Sequence, residues 1–189
     1  MTEPSRQMKN LRPFIYLLAA VLLFACNHGR PLSDYGKNFA EIMRSTDGMF
    51  RGIDLGKSKR EVMDKEKGAK PKDEDVNYLY YEFPGDTGEL YTVEYQFDEQ
   101  GLNQVRMDAY YPGAADAHTL FLSFYDYYKD KYGETEKMEG FAAWAFKRPD
   151  GKKLQIELTD ESAEYRQGKF SLVIYYLPDE PGAKDVPKK

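Results

Sequence analysis

Cysteine is almost missing from this sequence. Cys26 is the only one in 189 residues, which excludes an internal disulfide and any multi-cysteine metal site. Histidine is nearly as scarce, with His28 and His118 alone. A zinc centre needs at least three converging ligands, and no spacing here assembles them. Neither H-E-x-x-H nor G-x-S-x-G occurs. Positive charge is in deficit too: 27 Lys and Arg stand against 32 Asp and Glu, for a formal net charge of −5. Nucleic acid is therefore a poor partner, and no basic stripe offsets the balance. Long apolar runs are lacking, with one exception at Phe14–Phe24.

That exception sits in an export signal. Arg6, Lys9 and Arg12 form a basic stretch, the eleven apolar residues follow, and Ala25-Cys26 comes at once. Eleven residues make a helix of about 16 Å, too short for a hydrocarbon core of about 30 Å. Either Met1 or Met8 can open this signal. Leu23-Phe24-Ala25-Cys26 resembles the lipobox of bacterial lipoproteins, with Phe24 bulkier than usual at its position. The resemblance implies that residues 1–25 are removed and that Cys26 receives the acyl chains, palmitate among them. Stable anchoring takes more than one chain, and thioether formation consumes the lone thiol. Asn27 after the cysteine resembles outer-membrane sorting. Asn27-His28-Gly29-Arg30 lacks the acidic run that resembles a surface-export signal, so the expected location is the outer membrane, facing the periplasm.

The removed segment carries a formal charge of +2, so the remaining 164 residues stand at −7. An acidic domain gains no attraction to anionic lipid, and membrane contact is expected through the lipid alone. Residues 26–32 read as the lipidated cysteine and a polar tether. Residues 178–189 (PDEPGAKDVPKK) read as a disordered tail. One α+β domain is expected over 33–177, an antiparallel sheet with helices on one face.

Within it, two halves (33–112 and 113–177) repeat a helix followed by three strands. The first opens with a short helix near Tyr35–Arg44. A second helix starts at Ser58-Lys59-Arg60-Glu61, a capping box, with Val62 and Met63 as its apolar face and Gly68 as its stop. Strands are expected at Tyr78–Phe83, Leu90–Phe97 and Leu102–Tyr111, the last two joined by the turn Asp98-Glu99-Gln100-Gly101. The second half places a helix over Ala115–Tyr132, with Ala117, Phe121, Phe124 and Tyr128 on its buried side. Strands follow at Phe141–Lys147, Lys153–Thr159 and Lys169–Leu177.

Ile53-Asp54-Leu55-Gly56-Lys57-Ser58-Lys59-Arg60-Glu61-Val62-Met63, then Tyr95-Gln96-Phe97-Asp98-Glu99-Gln100-Gly101-Leu102, resembles a known repeat. It is similar to the small outer-membrane assembly lipoproteins of the SmpA/OmlA kind and to the related β-lactamase-inhibitor-protein (BLIP) fold. Those proteins show a G-x-[ST]-x-x-E-V helix start and an F-D-x-x-G-x-V hairpin. The similarity covers about Ile53–Tyr111, and the second half shares only the layout. It implies a BLIP-like pair of halves that binds other proteins and is not an enzyme.

No flanking pattern selects a catalytic residue, a metal or a cofactor. Asp73-Glu74-Asp75 and Asp160-Glu161 lack EF-hand spacing and are expected to be solvated loop charge. His118 is expected on the surface of its helix. Acidic residues offer many pairs for glycoside hydrolysis, none of them singled out. What stands out is sixteen tyrosines, most of them in strand segments. Alternation puts Tyr91, Tyr95, Phe97, Val105, Met107, Leu154, Ile156, Phe170, Leu172 and Ile174 under the helices. The opposite face then carries Tyr80, Glu82, Glu94, Gln96, Arg106, Asp108, Tyr110, Gln155, Glu157, Val173 and Tyr175, with Trp144 assigned to it as well. Cross-strand pairing alone accounts for such a face. A binding surface accounts for it too, since Tyr, Trp and Arg are enriched at hot spots. The candidate contacts are Tyr80, Glu94, Arg106, Asp108, Tyr110, Trp144 and Tyr175, for an envelope protein partner or, alternatively, a solute or carbohydrate.

Overall fold

A computed structural model describes residues 30–85, 88–165 and 167–178. The expected export signal, Cys26, His28 and most of the expected tail lie outside the described residues. The compact unit begins at Leu32.

A 3-10 turn at Leu32–Tyr35 is followed by α1, Lys37–Met43. The expected single helix near Tyr35–Arg44 is split because Gly36 has φ 114° and cannot continue a helix. Arg44 ends α1 in the left-handed region at φ 59°. Helix α2 spans Lys59–Lys65 and starts as the sequence implies. The Ser58 hydroxyl accepts the Glu61 N–H at 3.3 Å, and the Glu61 carboxylate accepts the Ser58 N–H at 2.9 Å. Val62 is fully buried, whereas Met63 is 41 % exposed. The helix turns too little apolar surface inward to bury both.

Eight strands form one antiparallel sheet among the described residues: β1 Asp73–Asp75, β2 Tyr78–Pro84, β3 Leu90–Asp98, β4 Gly101–Tyr111, β5 Lys137–Met138, β6 Phe141–Lys147, β7 Lys153–Asp160 and β8 Gly168–Tyr176. Their spatial order is β1-β2-β3-β4-β8-β7-β6-β5. The two meanders meet at the antiparallel β4–β8 pair, where Arg106 faces Val173 and Gln104 faces Tyr175. β1 and β5 are short edge strands; the first turns the expected Asp73-Glu74-Asp75 loop into an exposed strand paired with β2. Short, charged edges discourage pairing with a further chain.

The two sequence segments that carry the family resemblance touch each other. Gly56 N–H donates to Leu102 O and Leu102 N–H to Lys57 O, each at 2.7 Å. A Cβ on Gly101 (φ 107°) would lie 2.6 Å from the Gly56 carbonyl oxygen. The loop before α2 therefore seats on the β3–β4 hairpin, and only glycine permits that approach.

Helix α3, Ala114–Tyr132, closes the core over β4, β8 and β7. It buries Ala117, Leu120, Phe121, Phe124, Tyr127 and Tyr128, a stripe at helical spacing. Gly133, at φ 93°, ends it. Phe39 of α1 meets Phe124 edge-on at 4.7 Å, so α1 and α3 share the helix layer. Beneath lie Leu79, Tyr81, Val93, Tyr95, Val105, Met107, Ile156, Leu172 and Ile174, all but excluded from solvent.

Candidate functional site

Strand alternation sends the other side chains to the sheet face away from the helices, and the register arranges them in cross-strand rows. One row runs Tyr80, Glu94, Arg106, Val173, Glu157, Ala143. A second runs Tyr78, Gln96, Gln104, Tyr175, Gln155, Ala145. A third runs Glu82, Thr92, Asp108, Ser171, Thr159, Phe141. With neighbouring strands about 4.8 Å apart, each row crosses roughly 24 Å of surface. An antiparallel sheet tolerates this polar face in water.

Six of the seven candidate contacts lie on this face. Tyr80 stands parallel to Tyr78, and its hydroxyl donates to Glu82 at 3.4 Å. Glu94 accepts from Gln96 at 2.5 Å. Arg106 faces Glu94 across the strands, yet its guanidinium turns along β4 to Asp108, with bonds of 2.8 and 3.2 Å. Burial opposes ionisation of Asp108, but the bonds from Arg106 and Ser171 prevail and hold its carboxyl below the ordinary value. Tyr110 is half-buried beside Lys169. The Tyr175 hydroxyl donates to Glu157 at 3.0 Å.

Trp144 is the exception. Its strand neighbour across β7 is Ile156, it is 4 % exposed, and it packs at 5.7 and 5.9 Å from Tyr125 and Tyr128 of α3. The indole N–H donates to Gly133 O at 2.9 Å. Alternation counted from Ala142 puts Trp144 inside, and the partner its N–H requires lies at the end of α3.

The Asp160-Glu161 pair is not solvated loop charge. Asp160 accepts from the His118 ring at 2.8 Å, and Glu161 takes the Lys169 ammonium at 2.6 Å. The Ser171 hydroxyl lies within 2.6 Å of both Glu161 and Asp108, linking this corner to Arg106. Lys169 and Ser171 are consequently buried although they point to the open face. His118 remains exposed on α3.

On the helix side a charged centre went unannounced by any sequence pattern. Arg51, 3 % exposed, grips the Glu66 carboxylate through Nε at 2.5 Å and a terminal nitrogen at 2.6 Å. Its other terminal nitrogen donates to Ile42 O at 2.7 Å. Glu66 also takes Arg44 at 3.0 Å and the Tyr95 hydroxyl at 2.5 Å. Arg51 lies 4.7 Å and Arg44 5.2 Å from the centre of the Phe83 ring. Both arginines adopt positive φ, which side-chain-bearing residues seldom do, and this ion pair holds them there. The partners are 15 and 29 residues apart, beyond any local period.

Among the described residues, no group of three or more His, Cys, Asp or Glu is placed to hold a metal ion, and no helix is long and apolar enough to cross a membrane. No protein-family model, curated protein or solved structure matches the chain.

Proposed function

We propose that the chain is a lipid-anchored protein of the bacterial envelope, held at the outer membrane through Cys26, that binds another envelope protein without catalysis. The uncovered sheet face carries this reading: Tyr80, Glu94, Arg106, Tyr110 and Tyr175 stand on it in register, and no helix covers it among the described residues. Tyrosine and arginine supply large contact area with a polar tip, which is why they dominate interface hot spots. The BLIP-like plan belongs to the same proposal. Contact between the Gly56-Lys57-Ser58 and Gly101-Leu102 segments supports it, as does a sheet order that runs outward from β4–β8 to a short edge strand on either side.

The test is crosslinking capture from whole envelopes, comparing the native chain with a triple variant, Arg106→Gln, Tyr110→Ala and Tyr175→Ala. Capture of the partner weakens while Tm falls only a few degrees. A stable variant with undiminished capture removes the sheet face as the site. In parallel, Cys26→Ser abolishes membrane fractionation at low and high salt alike; a variant that still pellets after a high-salt wash removes the anchor.

A further inference from the structure

A sheet gains strands only at its edges, and the two edges of this one are closed differently. Where β1 stops covering β2, the exposed end of β2 carries Glu82 and Pro84, a charge and a residue without an N–H, and both discourage pairing. At the other edge β5 pairs only with Phe141 and Ala142, whereas β6 runs on to Lys147. That uncovered stretch holds neither proline nor an acidic residue, and Ala145 within it is small and exposed.

The β6–β7 register fixes where the backbone of this stretch points. Asp160 N–H donates to Gly140 O at 2.7 Å, and Arg148 N–H to Lys152 O at 2.9 Å, so the even-numbered residues of β6 bond to β7. Bonded and non-bonded pairs alternate along an antiparallel ladder, and the odd-numbered residues therefore turn their N–H and C=O groups outward. Phe141 faces Met138 of β5, and the Ala143 carbonyl accepts from the Thr135 hydroxyl. Alongside Ala145 and Lys147 there is no further strand among the described residues. Two backbone donors and two acceptors line this open edge.

The side chains beside it differ on its two faces. Toward the helices, Phe146 is half-buried and stacks on Tyr132 at 4.7 Å. Toward the open face, Lys147 is exposed directly across from Lys153. Like charges opposite one another repel, and a neighbouring carboxylate relieves them. This corner is cationic on a chain whose formal net charge is −5.

We propose that the Ala145–Lys147 edge of β6 receives an extended, proline-free segment of another protein, added as a strand with an apolar residue against Phe146 and acidic residues beside Lys147. In such strand addition the backbone bonds give affinity and the alternate side chains give specificity. A second copy of the chain fits less well, because its own edge brings Ala145 and Lys147 where the corner calls for acids. The site lies three strands, about 14 Å, from Arg106 on β4, and it stands whether or not the sheet face docks a partner.

Residue-resolved amide exchange on the full chain tests this. In the free protein the Ala145 and Lys147 amides exchange on the order of a hundredfold faster than those of Trp144 and Phe146, which bond to β7. A capped peptide of alternating glutamate and valine, about seven residues long and at millimolar concentration, slows the two fast amides about tenfold. Its lysine–valine counterpart and a fully N-methylated version leave them fast. Ala145→Pro removes an N–H that no strand of the domain uses, so Tm changes little, and the peptide no longer slows Lys147. Lys147→Glu leaves the backbone intact and reverses the preference between the glutamate and lysine peptides. Slow Ala145 and Lys147 amides in the free monomer, or amides that become fast only as a dimer dissociates on dilution, overturn the proposal, since this chain or a second copy then covers the edge. No slowing by the glutamate peptide, or slowing that survives N-methylation or both substitutions, overturns it equally.

Discussion

At Glu66, burial and charge pull in opposite directions. Desolvation alone raises a carboxyl pKa, yet the hydrogen bonds and charge of Arg51, the Tyr95 hydroxyl and the charge of Arg44 outweigh it and hold Glu66 below its ordinary 4.5. The same pairing raises Arg51 above its ordinary value. A depressed folded-state value means the stabilisation is complete above the ordinary glutamate range and is lost as pH falls through the folded value. Glu66→Gln is therefore less stable than the native chain at pH 7, and the gap narrows below pH 4.5 when both are unfolded in urea across that range. A gap that is constant with pH refutes the ionised pair. Arg51→Met leaves the buried carboxylate to Arg44 and Tyr95 alone and costs about 3–5 kcal/mol, because a buried charge deprived of its bidentate partner loses more than the bonds themselves. A loss below about 1 kcal/mol in the same assay shows that water reaches Glu66. None of this was legible in Phe50-Arg51-Gly52. The partners converge only when α2 lies against β3.

The helix start and the hairpin show the opposite case, where local chemistry was sufficient. Ser58→Ala removes the acceptor for the Glu61 N–H and costs about 1 kcal/mol, measured as a shift in urea midpoint at unchanged slope. Glu61→Ala on that background adds less than it does alone, since both groups serve one helix end; strict additivity contradicts the reciprocal cap. Gly101→Ala meets two obstacles, a positive φ and the Gly56 carbonyl 2.6 Å away. It should cost about 2 kcal/mol or more, where a two-residue hairpin in open solvent loses only the first part. A loss under about 1 kcal/mol means the loop before α2 does not seat on the hairpin. The edge strands are the elements that the sequence did not reveal. Asp73-Glu74-Asp75 has no apolar alternation, and it is a strand because β2 offers a free ladder opposite Tyr78–Tyr80.

Across the molecule, the β4–β8 pair and α3 above it make the two meanders one core. Trp144 is buried beneath α3 on the second meander's side and is the only tryptophan, so its emission reports that side alone. Far-UV circular dichroism reports all helices and strands. The two probes should give coincident urea transitions, as two-state unfolding requires. Separated transitions mean that the meanders melt independently and that the seam is weak.

Residue periodicity determined by itself that this is an α+β chain, where the six long strands run, and which residues within one strand share a side, because period two admits two faces and hydrophobicity picks the inner one. The capping box is likewise short-range chemistry written in consecutive residues. Tertiary structure decided what alternation cannot. Which side of β6 turns under α3 was settled there: Ala142 and Trp144 lie inward together, and the indole N–H meets the Gly133 carbonyl at the end of α3. Lys169 and Ser171 were buried on an open face because Glu161 folded back over them. Tyr175 joined Arg106 because β8 pairs with β4 in this register, and strand order depends on contacts 57 to 71 residues apart. No local pattern carries information over that distance. It is settled when the core closes.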